Sequence, residues 1–441
     1  MGLVFNFMND SRPSILGIAF LTVFLDIVGF SILFPLFPAI LDWYVTHEGP
    51  QSSVGQLAAY LQEVANGNEV AVYTLFGGVL GSLYGLLQFV FSVVWGGLSD
   101  RIGRRPTLLF TLFGTAFSYV VWTFAGSFSL LVTARILGGI MAGNISTASA
   151  AVADTTTAEN RAKGMGIIGM GIGLGFIMGP ALGGFLAGVH LESNTVSRGL
   201  ALHPFSGAAL ASLGLAVINL VWALHRFPET LPPERRSKGH RPLNPFKVLR
   251  ALNYPGVKRA NLLYLVFLTA FAAVEFTLTF LAVERLNYAP SDLAWMFVYV
   301  GLIIAFVQGG IVRRMAPKLG ERLLTQVGLA CNVPGFLLLA FAHSSTMLYA
   351  GLGFMAVGSG LVSPCLSALV SRYSPPDKQG LAMGSFRSMG SLSRAVGPMI
   401  GAVLYWKFQS SAPYLAAAAL LVIPLLMALK LPQPAEEAPN A

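Results

Sequence analysis

The sequence predicts an all-α membrane protein of twelve transmembrane helices, arranged as two six-helix halves. Three observations carry this reading. Only 11% of the 441 residues are charged and 55% are hydrophobic, against about 25% charged in soluble chains. Twelve apolar segments reach the ~20 residues that a bilayer crossing requires. The basic residues fall on alternate connections: 22 of the 28 Lys and Arg lie in one set of loops, three in the other set and three inside spans. By the positive-inside rule this asymmetry puts both termini in the cytoplasm.

In order, the first six spans are expected at 14–41, 72–96, 106–126, 128–152, 165–189 and 204–225. The second six are expected at 260–283, 292–312, 323–342, 346–371, 380–406 and 412–430. The turns after 126 and 342 are so short that the spans they join read as antiparallel hairpins. The first apolar run continues beyond the length of a signal peptide and reads as a span. Loop 42–71 carries Asp42, Glu48, Glu63 and Glu69 with no Lys or Arg, which suits the outer face. Its middle reads as a short amphipathic helix. Residues 226–259 form the one long inner connection, rich in proline and basic residues. The chain therefore divides into a half at 1–225, a cytoplasmic linker at 226–259, a half at 260–430 and a tail at 431–441.

Other classes are disfavoured. The net charge of +9 invites a nucleic-acid partner, but the positive charge flanks membrane spans. Cys331 and Cys365 both sit in apolar segments and give neither metal spacing nor a disulfide framework. No metal set, nucleophile triad or phosphate loop appears, so no enzyme and no cofactor is expected. The cytoplasmic (plasma) membrane is the expected location.

The segment Gly96-Gly97-Leu98-Ser99-Asp100-Arg101-Ile102-Gly103-Arg104-Arg105-Pro106 packs charge between two apolar runs. It resembles the loop motif between spans two and three of the major facilitator superfamily. Arg135 in L-V-T-A-R-I-L-G-G-I-M-A-G resembles that family's span-four arginine motif. G-F-I-M-G-P-A-L-G-G (175–184) resembles the span-five motif of its proton-coupled antiporters. Within the family the first span, L-D-I-V-G-F-S-I-L-F-P-L-F-P, is similar to the tetracycline-efflux group. The blocks at 143–154, 274–281 and 384–398 are similar to animal tetracycline-transporter-like members. The resemblance implies the twelve-helix fold of that family, efflux of organic anions or amphipathic drugs coupled to protons, and a role for Arg135 in proton transfer.

Five charges inside spans carry the functional reading: Asp26, Arg135, Glu275, Arg387 and Arg394. An ionisable group near the bilayer centre is costly and is a functional candidate by default. Asp26 lies about 12 residues into its span, roughly 18 Å deep at 1.5 Å per residue. Glu275 lies at a similar depth in the seventh span. Both are candidates for proton coupling; the alternatives are a structural salt bridge of Asp26 with Arg135, and pairing of Glu275 with Arg387 or Arg394. Arg387 and Arg394 are seven residues apart on one helix face and are candidates to bind an anion bidentately. The alternative for Arg387 is snorkelling to the headgroups. Three positive against two negative charges favour an anionic substrate.

Gly175, Gly179, Pro180, Gly183 and Gly184 form a small-residue stripe with a proline, read as a hinge or seal between the halves, or as packing alone. Gly96, Gly103, Arg101, Arg104 and Arg105 belong to the charged turn. Asp100 is expected to cap the next helix or to pair with an arginine of the other half. Asp154, with Glu159 and Arg161, is expected to join that network. A weaker second copy of the turn appears at Gly309-Gly310 and Arg313-Arg314, without the Asp. Gln88, Asn144, Gln308 and Asn332 are expected to hydrogen-bond between helices, with Gln88 and Gln308 as substrate contacts. Phe30, Tyr119, Trp122, Phe271 and Trp295 are candidate pocket aromatics. The combined reading is an alternating-access proton antiporter. Its partners are a small anionic or amphipathic molecule, protons and the bilayer. The alternatives are a lipid or lysolipid translocase and a non-transporting receptor or scaffold.

Overall fold

The computed structural model describes residues 15–156, 158–189, 191, 200–236, 255–374 and 379–433. Almost all of them lie in helices, with an isolated backbone bridge between Ala125 and Leu200. Ten helical runs are long and apolar enough to cross a membrane. Most of the expected linker 226–259, and the tail beyond 433, lie outside the described residues.

The first crossing is two helices, α1 (Ile15–Ser31) and α2 (Phe37–Glu48), joined by a 3₁₀ turn at Phe34–Leu36. Pro35 and Pro38 cause the join, because each removes an N–H that a continuous helix needs. The amphipathic segment of the following loop is α3 (Ser53–Val64). Ser52 Oγ caps it by accepting from Gly55 N at 3.0 Å, and Val54, Ala58 and Leu61 turn inward. Then come α4 (Glu69–Ile102), α5 (Arg104–Thr123), α6 (Phe128–Met141), α7 (Asn144–Thr155), α8 (Ala158–Leu186) and α9 (Ser206–Arg226). The span expected at 128–152 is therefore broken at Ala142-Gly143, where the Trp95 ring leaves no room for a side chain on Gly143.

After residue 254 the chain forms α10 (Pro255–Leu286), α11 (Pro290–Phe306), a π-helical turn at Val307–Val312, α12 (Arg313–Ala340), α13 (Ser345–Arg372), α14 (Gln379–Phe408), α15 (Ala412–Leu420) and α16 (Val422–Leu429). The two spans expected at 292–312 and 323–342 form one 51-residue helical run, Pro290–Ala340. The run kinks at Gly320, whose φ of +79° suits a residue without a Cβ. α14 is not among the ten apolar runs, since arginine at positions 387 and 394 lowers its hydropathy.

The helices before residue 237 and those after 254 meet along two seams, α4 against α14 and α8 against α11. Small residues permit the approach, as is usual where lipid offers no hydrophobic drive. A side chain at Gly78 would meet the Ala402 methyl at 2.7 Å, and one at Gly85 would meet Ala395 Cα at 2.8 Å. The glycine stripe of α8, expected at the seam, lies there only in part. Gly175 and Gly179 abut Ile27 and Ser31 of α1, Gly183 abuts Ile32 just after it, and Ser31 Oγ donates to the Gly175 carbonyl at 3.1 Å. Gly184 reaches the other group, against Pro290 and Ala294 of α11. Pro180 sits inside α8. Gly175, Gly179 and Gly183 share one helix face because they recur every four residues, whereas Gly184 is turned by about 100° from Gly183.

The end of the molecule opposite the Asp100 turn is sealed. Gly77 is enclosed by Phe37, Phe276 and Phe280. The Trp406 indole of α14 donates to the Val64 carbonyl at the end of α3 at 2.8 Å. At the same end Arg285 of α10 donates to the Ala340 carbonyl at 2.8 Å and to Ser411 Oγ at 2.6 Å, tying the C-terminus of α12 to the start of α15.

Candidate functional site

A cavity of about 280 Å³ lies between the two helix groups. α1, α4, α7 and α8 wall it from one side; α10, α11, α13 and α14 wall it from the other. Its charged lining is Arg387, Arg394 and Glu275, and its amide lining is Gln88 and Gln308. The four substrate residues expected from the sequence thus converge on one space, together with one of the two expected proton-coupling acids.

The reason is the geometry of α14. Arg387 and Arg394 are seven residues apart, so they project from one face with a rise of about 10 Å between them. Arg394 Nη1 lies 3.7 Å from Glu275 Oε2, and its guanidinium carbon lies 3.6 Å from the centroid of the Phe176 ring of α8. Of the two arginines considered as partners for Glu275, Arg394 is the one ion-paired to it. The separation exceeds the ~2.8 Å of a direct charged hydrogen bond, so the pair is loosely held. Behind it a second chamber of about 30 Å³ is lined by Gln88, Glu275 and Arg394, enough space for about one water with three polar neighbours. Arg387 does not snorkel away: it lines the cavity, and its guanidinium packs on Gly169 of α8, where a side chain would meet Nη2 at 3.2 Å.

Asp26 and Arg135 lie elsewhere. Asp26 is buried in α1 and accepts from Asn144 Nδ2 at 2.8 Å. Asn144 is the first residue of α7, so the break at Ala142-Gly143 positions its amide toward α1. The Arg135 guanidinium carbon lies 4.5 Å from the Tyr84 ring centroid and 5.1 Å from that of Phe30, a cation–π contact with two rings that are themselves stacked, 4.2 Å between centroids. No ion pair joins Arg135 to Asp26 among the described residues, which corrects the salt bridge considered for them. The stacked rings of Phe30 and Tyr84 cover the guanidinium from one side, and the Asn144 amide occupies the carboxylate.

The charged turn is a local clasp. Gly103 has φ +114°, and a side chain there would overlap the Glu229 carboxylate. Buried Arg104 sits 2.6 Å from Asp100 Oδ1 and 2.8 Å from Asp154 Oδ2, and it donates to Ser99 Oγ at 2.6 Å. Glu229 accepts from the backbone N–H of Arg104 at 2.9 Å and of Arg105 at 3.3 Å. The cap expected from Asp100 therefore comes from Glu229, while Asp100 is ion-paired to Arg104 of its own turn. Asp154 joins the network as expected; the side chains of Glu159 and Arg161 lie outside the described residues. Arg105 donates to the Leu224 carbonyl at 2.8 Å; Arg101 is exposed, and Gly96 faces open space. Beyond the weaker second copy, Glu321, following Gly320, lies 2.9 Å from Arg372 at the end of α13.

The remaining expectations divide. Phe271 lines the large cavity and Phe30 the small chamber. Tyr119 and Trp122 are packed in the core instead, and Trp295 is exposed on the outer surface of the bundle. Asn332 donates to the Gly328 carbonyl of its own helix at 2.8 Å, not between helices. The sequence reading missed Phe176, Glu229 and the serines of α13; only Asn144 among the partners had a legible signal, as a polar residue within a span.

Membrane-crossing helices converging on a charged internal cavity define a transport protein. The chain belongs to the Major Facilitator Superfamily, whose profile matches residues 19–333 and 313–441. It is an integral multi-pass membrane transporter and not an enzyme. Among particular proteins it is similar to Major facilitator superfamily domain-containing protein 10 of Bos taurus, 34% identical over 446 residues, covering 96% of this chain and 93% of that one. Tetracycline resistance protein, class C, of Escherichia coli is 28% identical over 398 residues, covering 90% of each chain. The crystal structure of the human organic anion transporter MFSD10 (TETRAN) aligns with a TM-score of 0.78 at 31% identity, covering 94% of this chain and 98% of that one.

Proposed function

We propose that this protein exports organic anions or amphipathic drug-like compounds across the plasma membrane by proton antiport with alternating access. One observation carries the anion assignment: the cavity is lined by two guanidinium groups and one carboxylate. The description of the human relative as an organic anion transporter supports the same reading. We further propose twelve crossings in two halves, 1–225 and 260–430, joined by the linker 226–259, with the termini on the cytoplasmic side. The kink at Gly320 supports counting the run 290–340 as two crossings, and α14 supplies another.

An anion entering the cavity competes with the Glu275 carboxylate for Arg394. A proton on Glu275 releases that arginine and strengthens anion binding. A proton on Asp26 acts apart from the cavity, at the Asn144 contact between α1 and α7. Asp26 is therefore the acid we assign to the exchanged proton, which loads while the empty carrier returns. The Trp406–Val64 contact, which joins the two helix groups, is the end that parts when the cavity opens to that side, while the Arg104 clasp keeps the first group together as it moves.

Reconstitution in liposomes with an imposed pH gradient tests this. Anion efflux that depends on the gradient and is lost in Arg394→Ala is the expected result. A preference for organic cations, or for a lysolipid, that survives Arg394→Ala overturns the anion assignment. Flux that is indifferent to collapse of the gradient overturns proton coupling.

A further inference from the structure

α13 presents a polar edge to the cavity that the charged groups do not explain. Ser359, Ser363 and Ser367 all line it, and their spacing of four residues stacks them on one helix face, about 6 Å apart. Ser359 makes a long 3.3 Å bond to the Ala356 carbonyl of its own helix. Ser367 is 4% exposed, and its hydroxyl has no hydrogen-bond partner among the described residues. A buried hydroxyl without a partner carries a desolvation cost unless something supplies one. Alanine fills the same space in a helix without that cost. Ser391, between the two arginines of α14, and Gln308 extend the same polar lining. The rest of the lining is largely apolar, with Phe176, Phe267, Phe271, Phe297 and Phe386 around it.

We propose that the α13 serines form a hydrogen-bonding rail that selects anions bearing hydroxyl or carbonyl oxygens along one edge over plain hydrocarbon anions. This rests on the anion-transport reading and adds a second recognition element to it. In this arrangement Arg394 takes the acidic group, the phenylalanines take the apolar face, and the serines take the oxygens of the opposite edge. A serine hydroxyl donates and accepts, so it matches a substrate hydroxyl or a carbonyl.

The experiment crosses charge with oxygenation, using four competitors on the purified full-length protein: caffeate, cinnamate and the methyl ester of each. Caffeate differs from cinnamate by two ring hydroxyls, and each ester removes the charge alone. Wild type is expected to bind caffeate about 10-fold more tightly than cinnamate, on the scale of one or two net hydrogen bonds. Ser359→Ala/Ser363→Ala/Ser367→Ala together should bring that ratio near one while leaving cinnamate affinity unchanged. Equal wild-type affinity for the two acids overturns the rail even if both bind, and leaves the anion reading standing. Methyl esters that bind as well as the acids overturn the anion reading, while a retained caffeoyl preference among the esters upholds the rail. A triple variant that loses cinnamate as strongly as caffeate shows the serines to be packing residues, which also overturns the proposal. The wild-type ratio needs no variant, so poor folding of the triple mutant does not obscure the result.

Discussion

Arg394 and Glu275 face one another across 3.7 Å on neighbouring helices, in the wall of a cavity and beside the ring of Phe176 from the other helix group. The contact is close enough to balance charge and too long to lock the guanidinium in one bidentate geometry. An anion can therefore replace the carboxylate without first breaking a tight hydrogen-bonded fork. Anion affinity is expected to rise as the pH falls, because protonation of Glu275 removes the competitor for Arg394. Glu275→Gln should bind the anion about 10-fold more tightly at neutral pH and lose that pH dependence. Binding isotherms across pH check both, and a Glu275→Gln profile parallel to wild type contradicts the assignment.

Asp26 is held by an amide rather than by a cation. Asp26→Asn keeps an acceptor oxygen of the same size, so the fold should survive with little change in thermal stability. Proton-driven transport should fall at least about 10-fold, while exchange of anion for anion continues, since that mode needs no net proton movement. Loss of both modes together would assign Asp26 to the fold or to the substrate instead.

Arg104 is buried between two carboxylates. Removing one member of such a network strands the rest, at about 3–5 kcal/mol. Arg104→Ala is expected to lower the unfolding temperature markedly in detergent, and Asp154→Asn to lower it less. Glu229→Gln, which weakens the cap on α5, should cost about 1 kcal/mol. Unfolding curves of the three variants should keep that order.

His203 precedes α9, is fully buried, and lies 2.8 Å by Nε2 from the Trp122 carbonyl, while Nδ1 accepts from Phe205 N at 3.2 Å. The ring is thus neutral with its proton on Nε2. Burial holds its pKa below the ordinary value of 6.5. With the folded pKa depressed, the contribution to stability is complete above about pH 6.5 and is lost as the pH falls through the folded pKa. The unfolding temperature should decline below pH 6.5 in wild type, and the decline should be shallower in His203→Gln.

The Trp406–Val64 bond ties the two helix groups at the end opposite the charged turn. Trp406→Phe keeps the ring bulk and removes the donor. It should raise the reactivity of a cysteine placed at Phe280 toward a membrane-impermeant thiol reagent added from that side, by about two- to five-fold on the scale of one hydrogen bond. Unchanged reactivity means that the bond does not hold that end closed.

Much of the site was legible because charge is so scarce in the spans. Arg387, Arg394 and Glu275 stood out by their cost in a bilayer, and helical spacing put the two arginines on one face. The same scarcity misled at Arg135 and Asp26, where opposite charges in neighbouring spans suggested a salt bridge. Of the competing partners only Asn144 stood out, as a polar residue within a span; the rings of Phe30 and Tyr84 are ordinary there. They carry no sequence signal that marks them as neighbours of a charge. The glycine stripe was legible as a close-packing face, but not its partner: spacing defines a face of α8 and cannot say whether α1 or α11 lies against it.

The chain by itself determined the fold class, the alternation of apolar runs with basic turns, and the few charged residues that are candidates because of their cost in a bilayer. These follow from local terms, namely transfer free energy, helical period and the placement of charge. Only the tertiary structure decided which of those charges meet. It assigned Glu275 to Arg394 and Asp26 to Asn144, supplied Glu229 as the cap on α5, and brought Ser359, Ser363 and Ser367 to the cavity. Such pairings depend on the crossing and rotation of helices far apart in sequence, which packing of small residues sets and no local pattern records.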